Sequence, residues 1–109
     1  SRRIAFEHAA TLDLETVALD GRTENISLHG AMLHLPDLSS AAGAAVKPGS
    51  VGELSFVLPG YPGRVALKVV VRWRSAVLVD SVGVEFRDAL DDDARKLLVL
   101  IGCDDLASS

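Results

Sequence analysis

Residues 25–33 read Asn-Ile-Ser-Leu-His-Gly-Ala-Met-Leu, a polar hexapeptide that runs directly into an apolar segment. The side chains of Asn25 and Ser27 can hydrogen-bond to nearby backbone amides, and Gly30 allows a positive φ or a close backbone approach. The pattern predicts a corner between two strands, with donors and acceptors that could hold a polar ligand. An ordinary β-turn uses the same residue types, so the hexapeptide alone leaves both interpretations open.

The segments on both sides of this corner predict further β-strands. Before it, residues 11–19 alternate with a period of two, and Asp20-Gly21 predicts a tight turn into a short strand over 22–26. After it, a loop rich in Ala, Ser and Gly is expected over 38–50. The remaining strands are expected at 31–35, 51–58, 65–73 and 77–86. Six or seven short strands at this spacing predict a small closed antiparallel β-barrel.

The end of the chain changes to a helical pattern. From Leu90 onward, apolar residues fall at offsets of four, seven, eight and eleven, which places them on one face of a helix. The aspartates at 91–93 belong in its first turn, where they complement the helix dipole, and Gly102 ends it. We therefore predict an amphipathic helix over 88–102. Consecutive aspartates on a helix point in different directions, so they predict capping and not a metal site.

Composition restricts the classes of function. A chain of 109 residues with 49% apolar residues predicts one packed domain. No apolar run approaches the roughly 20 residues that a transmembrane helix needs, so we expect no membrane insertion. The net charge of −4 argues against binding to nucleic-acid polymers. No catalytic or metal-ligand spacing is recognisable, so we expect neither an enzyme nor a metal site. The single Cys103 fits a reducing cytoplasm.

Two short motifs resemble those of the PilZ domain, a receptor module for cyclic di-GMP. That family combines an N-terminal Arg-x-x-x-Arg with Asp/Asn-x-Ser-x-x-Gly, and the second motif is complete here as Asn25, Ser27 and Gly30. The closing Gly-Val-Glu-Phe strand at 83–86, before a terminal helix, is also similar to the family. The resemblance therefore covers nearly the whole chain, and it implies a small β-barrel with a C-terminal helix.

The first motif is incomplete in this chain. Arg2 and Arg3 lead into the apolar residues Ile-Ala-Phe, but no second arginine stands at the family spacing. Our alignment takes Arg3 as the second arginine of the motif and expects the first one upstream of Ser1. On this reading, residues 1–8 are an N-terminal switch segment, and 9–109 hold the barrel and its helix.

The resemblance also implies a ligand site. Arginine suits guanine and phosphate because its fork matches the guanine O6/N7 edge bidentately and also pairs with phosphate. Asn25 replaces the commoner Asp and lacks the charge that orients an arginine. For two residues an alternative to a ligand contact stays open. His29 could be only an exposed histidine of the turn, and Trp73 only a tryptophan of the core or of the barrel rim. The implied ligand-binding residues are Arg2, Arg3, Asn25, Ser27, His29, Gly30 and Trp73. Because Arg72 and Arg74 have the opposite strand parity to Trp73, we expect both on the solvent side.

The function implied by the resemblance is that of a cytoplasmic bacterial receptor for cyclic di-GMP. Its arginine segment would close on the ligand, and a downstream protein or linked domain would read the change. The output, the ligand stoichiometry, and a monomeric or homodimeric state stay open. The alternative is a PilZ-like protein-interaction module that binds no nucleotide. An oligonucleotide-binding barrel is disfavoured, because the chain is acidic and has few aromatic residues for stacking.

Overall fold

The computed structural model describes residues 3–58, 60, 62–75, 80–87 and 92–102. Within those residues the chain forms seven β-strands, one short 3₁₀ turn at Ala42–Ala45 and one α-helix. The strands are β1 (Ile4–Ala5), β2 (Ala9–Leu14), β3 (Ala18–Ile26), β4 (Gly30–His34), β5 (Val51–Val57), β6 (Arg64–Ser75) and β7 (Ser81–Phe86), and the helix is α1 (Asp92–Leu100). No helix in this part of the chain is long and apolar enough to cross a bilayer.

The strands form one antiparallel barrel. Their order is β1-β3-β2-β5-β6-β7-β4, and β4 pairs back onto β3, so that β2 to β7 close on themselves. The short β1 pairs with the end of β3, through Ile4 opposite Ile26 and Ala5 opposite Asn25. The predicted fold, a small antiparallel barrel with a C-terminal helix, is confirmed. Closure also leaves β1 as an added strand beside the polar corner, which brings Arg3 to that corner.

Alternation along the strands builds the core. In β6 the side chains of Val65, Leu67 and Val69 are buried, whereas the residues between them are exposed. Leu97 and Leu98 of α1 belong to the same apolar cluster, so the helix packs on the barrel interior. Full burial of one such side chain stabilises the fold by about 1.5–3 kcal/mol. The buried side chains hold the strands together, and the polar corner joins two of these strands.

The prediction of a tight turn at Asp20-Gly21 is wrong. Both residues lie inside β3, paired with Thr11 and Ala10 of β2, and the chain reverses instead between Leu14 and β3. The glycine serves a close approach, because a β-carbon at position 21 would lie 2.1 Å from the carbonyl oxygen of His34. Asp-Gly is the sequence signal of a hairpin turn, but here the glycine is required by the close approach of a neighbouring strand.

The helix follows its predicted pattern over the residues that are described. Asp92 and Asp93 occupy the first turn of α1, and Gly102 follows its end with a φ of +112°. A left-handed conformation of this kind suits glycine and ends a helix. The predicted first turn before Asp92, including Leu90, lies outside the described residues. Arg2 and Cys103 lie outside them as well.

Candidate ligand groove

Ser27 forms the polar corner between β3 and β4. Its backbone N–H donates to the carbonyl oxygen of Gly30 at 2.8 Å. Its hydroxyl oxygen accepts from the backbone N–H of His29 at 3.1 Å and from that of Gly30 at 3.3 Å. The residue is only 3% exposed. The serine of the motif therefore fixes the shape of the turn, and its hydroxyl has its partners within that turn.

The turn is also joined to β7. Gly30 pairs with Glu85, and a β-carbon at position 30 would lie 2.1 Å from the carbonyl oxygen of Val84. The backbone N–H of Phe86 donates to the carbonyl oxygen of His29 at 2.8 Å, while the His29 side chain is exposed. Only glycine fits between the two backbones at position 30. The result is a rigid turn that presents an imidazole outward.

Asn25 faces outward because of a bulge in β3. The pairing of β3 with β4 shifts register between Thr23 and Asn25, so Glu24 is an extra residue. Thr23 and Ile26 are both fully buried although they are three positions apart, which strict alternation would not allow. Between them, Asn25 is only partly buried. The bulge thus turns the first residue of the motif away from the core.

Arg3 is attached to the barrel through Asn25. Its Nη1 donates to Asn25 Oδ1 at 2.6 Å, and Asn25 Nδ2 lies 3.4 Å from Met32 Sδ. Asn25 lacks the charge of the commoner Asp, yet its amide oxygen accepts this bond. An amide can hold a guanidinium in place, because its oxygen has two lone pairs to offer. A guanidinium carries five N–H donors, so most of those of Arg3 are not used by Asn25.

Trp73 lies at the rim of the barrel. The residue is 41% exposed, and its indole ring lies against Gly83 of β7. A β-carbon at position 83 would lie 2.2 Å from Trp73 Nε1, so the absence of a side chain there makes room for the ring. The structure thus places Trp73 at the rim and not in the core. An exposed indole fixed against backbone is a rigid surface for stacking.

A second bulge places Arg72 beside Trp73. In the pairing of β6 with β7, Val71 lies opposite Val84 and Trp73 lies opposite Gly83, so Arg72 is the extra residue. Both Arg72 and Trp73 line the same groove as a result. The prediction that strand parity separates them is wrong, because a bulge interrupts the alternation of side chains.

Arg74, unlike the exposed Arg72, does not lie on the solvent side. It is partly buried and donates to three backbone carbonyl oxygens of the loop before β5. Nη1 lies 2.7 Å from the oxygen of Gly43 and 2.9 Å from that of Val46, and Nη2 lies 3.0 Å from that of Leu38. The second prediction from parity is therefore also wrong. Arg74 has a structural position that no local sequence pattern indicates.

These features meet in a groove of about 310 Å³. The predicted site residues that line it are Arg3, His29, Gly30 and Trp73. Asn25 and Ser27 support it through Arg3 and through the turn. Lining residues that sequence reasoning missed are Ala31, Met32, Arg72, Gly83, Val84 and Glu85. The only signal for the last three was the Gly-Val-Glu-Phe segment, which was read as a closing strand alone.

An ion pair lies within the groove. Arg72 Nη2 and Glu85 Oε1 are 2.9 Å apart, and both side chains are about half exposed, at 57% and 50%. The hydrogen bond from Arg72, and then its charge, hold the pKa of Glu85 below its usual value, with a smaller lowering from His29. The same bond raises the pKa of Arg72. Among the described residues, no group of three or more His, Cys, Asp or Glu could hold a metal ion.

Comparisons with known proteins agree with this fold. The family model of the PilZ domain matches residues 1–101. A solved structure described as that of the Bacillus subtilis inhibitor of motility, MotI/DgrA, superposes with a TM-score of 0.67 at 19% sequence identity. The match covers 90% of this chain and 46% of that one, so this chain spans less than half of that protein. At such identity the likeness shows the fold. A comparison with curated proteins found no match.

Proposed function

Because this chain belongs to the PilZ domain family, we propose that it is a receptor domain that binds cyclic di-GMP in the groove beside Arg3 and Trp73. One observation carries the proposal most directly. Arg3, His29 and Trp73 are remote in sequence, yet they line one groove, and the intact Asn-x-Ser-x-x-Gly motif supports it. As a binding module, the domain is proposed to have no catalytic activity of its own.

Arg3 is the proposed principal contact. Cyclic di-GMP has two phosphodiester charges and two guanines, and an arginine fork can pair with a phosphate or with guanine O6 and N7. Asn25 is the one acceptor that the described part of the chain gives to Arg3. The arginine is therefore held in position while its other donors stay available. Arg2 is proposed as an auxiliary phosphate contact next to it.

Trp73 and the turn complete the proposed site. The exposed indole can stack on a guanine, a contact worth about 1–3 kcal/mol per base in single-stranded nucleic-acid complexes. The turn held by Ser27 and Gly30 brings His29 to the rim, where an imidazole N–H can reach a phosphate. A direct bond from Ser27 to the ligand would require its hydroxyl to leave the turn. We therefore assign Ser27 mainly to the shape of the site.

The signal is proposed to pass through the N-terminal segment. Among the described strands, β1 contributes only two residues to the sheet, and Arg3 precedes it. Because β1 is already paired with β3, a ligand that bridges Arg3 to the groove would strengthen the attachment of this switch segment to the barrel and change the exposed surface there. A downstream protein or a linked domain in the bacterial cytoplasm would read that change.

Calorimetric titration of cyclic di-GMP tests the proposal. We expect saturable binding to the wild-type chain and at least about tenfold weaker binding to Arg3→Ala, because a hydrogen bond to a charged group is worth about 1.5–3 kcal/mol. Arg64→Ala is the matched control, since Arg64 is an exposed arginine that does not line this groove. A version extended upstream would show whether a further arginine tightens binding. Absence of binding by every version would contradict the proposal and favour a protein-interaction module.

A further inference from the structure

Arg72 and Glu85 are two charged groups of the groove to which the family motifs assign no role. Arg72 is the extra residue of the bulge in β6, and Glu85 lies on β7 opposite Gly30. Arg72 follows the outward side of β6, and the bulge turns Trp73 to that side as well, so that the indole lies beside Arg72 in the groove. On an uninterrupted strand, consecutive side chains would point to opposite faces. The groove therefore holds a second arginine directly beside the indole, because a local irregularity of the backbone puts both side chains on the same side.

The charges that line the groove do not match a doubly charged ligand in this state. Among the arginine and glutamate side chains that line the groove, Arg3 and Arg72 supply two positive charges and Glu85 removes one, which leaves one net positive charge. Two phosphodiester groups carry two negative charges. While Glu85 is paired with Arg72 at 2.9 Å, one of the two arginines is already compensated.

The ion pair can be exchanged for another anion. Within the described residues Glu85 is the one acceptor bonded to the guanidinium of Arg72, and the two groups share a single N–O contact. Exposed ion pairs are weak, and they shift an equilibrium by about fivefold at most. A phosphate oxygen accepts the same N–H groups and offers additional oxygens to the fork. A ligand held elsewhere in the groove could thus take Arg72 from Glu85.

We propose that Arg72 is a second anion contact of the groove and that Glu85 is its competitor, which the bound ligand displaces. The identity of the anion, a phosphodiester of a guanine dinucleotide, rests on the proposed function. The exchange at Arg72 requires only a phosphate group. Glu85 is a positioning residue, because it acts on the ligand through Arg72 and lowers affinity for any anion that cannot displace it.

Calorimetry on a double-mutant cycle tests this proposal. With cyclic di-GMP, we expect Arg72→Ala to bind about tenfold more weakly and Glu85→Gln to bind about threefold more tightly than the wild type. In the Arg72→Ala background, Glu85→Gln should have a smaller effect, because only the screened repulsion between the carboxylate and the ligand is then removed. That difference is a coupling that a merely structural role would not produce. Glu53→Gln is the matched control, since Glu53 is an exposed carboxylate on β5 that does not line the groove.

Two outcomes would overturn the proposal. Weaker binding by Glu85→Gln would mean that the carboxylate itself contacts the ligand, for example at guanine N–H groups. Unchanged binding by Arg72→Ala would mean that the guanidinium makes no contact. Thermal melting of each variant identifies any loss of folding, and Arg72→Lys, which keeps the charge without the fork, should recover part of the affinity.

A second measurement decides the proposal even if the dinucleotide does not bind. Inorganic pyrophosphate is titrated into the wild-type chain and into Glu85→Gln, and the Arg72 Nε–H resonance is followed by ¹⁵N NMR. A shift that saturates at lower pyrophosphate concentration in Glu85→Gln supports the exchange at Arg72. No shift of that resonance in either protein overturns it. Failure of the proposed function alone would show as a shift with pyrophosphate but no binding of cyclic di-GMP.

Discussion

Arg72 and Arg74 stand two positions apart on β6, yet they belong to different parts of the molecule. Arg72 is exposed, and among the described residues it has one bond, to Glu85 in the groove. Arg74 is partly buried and donates to three backbone carbonyl oxygens of the loop before β5. The comparison teaches that the acceptors around an arginine determine its role. One weak, exposed partner leaves a guanidinium available to a ligand, whereas three carbonyls commit it to the fold.

The largest expected difference between the two arginines is in how much their substitution lowers the free energy of unfolding. Arg74→Met keeps the apolar stem but removes the donors to Leu38, Gly43 and Val46. We expect the free energy of unfolding to fall by about 2–4 kcal/mol, because partly buried carbonyls lose charged partners. Urea denaturation measures it. Arg72→Met is the matched control and should leave the midpoint unchanged. Equal losses in the two variants would contradict the division of roles.

The next largest effect is expected from a substitution at Gly83, against which the Trp73 indole lies. In Gly83→Ala the added methyl group would lie within 3 Å of three atoms of the indole, so the ring must move. We expect a loss of about 1–3 kcal/mol in unfolding free energy, as for other overpacked sites, together with a change in Trp73 fluorescence. In a Trp73→Ala background the same substitution should cost little, because the clashing ring is gone. A full loss in that background would mean that the cost arises elsewhere in β7.

Removal of the Trp73 indole should lower the affinity for cyclic di-GMP without changing the stability of the fold. Trp73→Ala removes an exposed ring, and we expect cyclic di-GMP to bind about tenfold more weakly, within the range of one base stack. Trp73→Phe keeps an aromatic face and should recover much of the affinity. Calorimetry measures both variants, and thermal melting shows whether the fold is unchanged. Equal affinities of wild type and Trp73→Ala would remove the indole from the proposed site.

Much of this architecture could be predicted from sequence, because strand alternation and helical periodicity are local. The core positions of β6 and the face of α1 that holds Leu97 and Leu98 follow from such patterns. Asn25, Ser27 and Gly30 could be selected because turn chemistry is local as well. The contact of Arg3 with the corner was expected only through the family resemblance, since it depends on β1 pairing with β3.

The features that escaped prediction depend on a neighbouring strand. The bulge at Arg72 exists in the pairing of β6 with β7, and nothing within the segment 71–74 marks it. Gly21 was mistaken for a turn residue because its constraint comes from the His34 carbonyl on β4. Arg74 has its acceptors between 28 and 36 positions away in the chain. A local sequence pattern reflects interactions within its own segment. These residues are instead determined by contacts with segments that are remote in sequence.

The smallest predicted effect tests the ion pair itself. In the folded protein the hydrogen bond and charge of Arg72 keep the pKa of Glu85 low, so Arg72→Ala should raise that pKa toward its usual value. A depressed carboxyl pKa contributes stability above the unfolded pKa, and this contribution disappears as the pH falls through the folded pKa. Both groups are exposed, so the change in stability should be slight.

An NMR titration of the Glu85 carboxyl carbon in wild type and Arg72→Ala measures this shift. Glu53 serves as the internal reference, because it is an exposed glutamate that does not line the groove. The small lowering due to His29 should persist in the variant. If the pKa of Glu85 is the same in both proteins, the pair is not populated in solution. Arg72 would then face the groove uncompensated, and the contrast with Arg74 would be sharper than the structure shows.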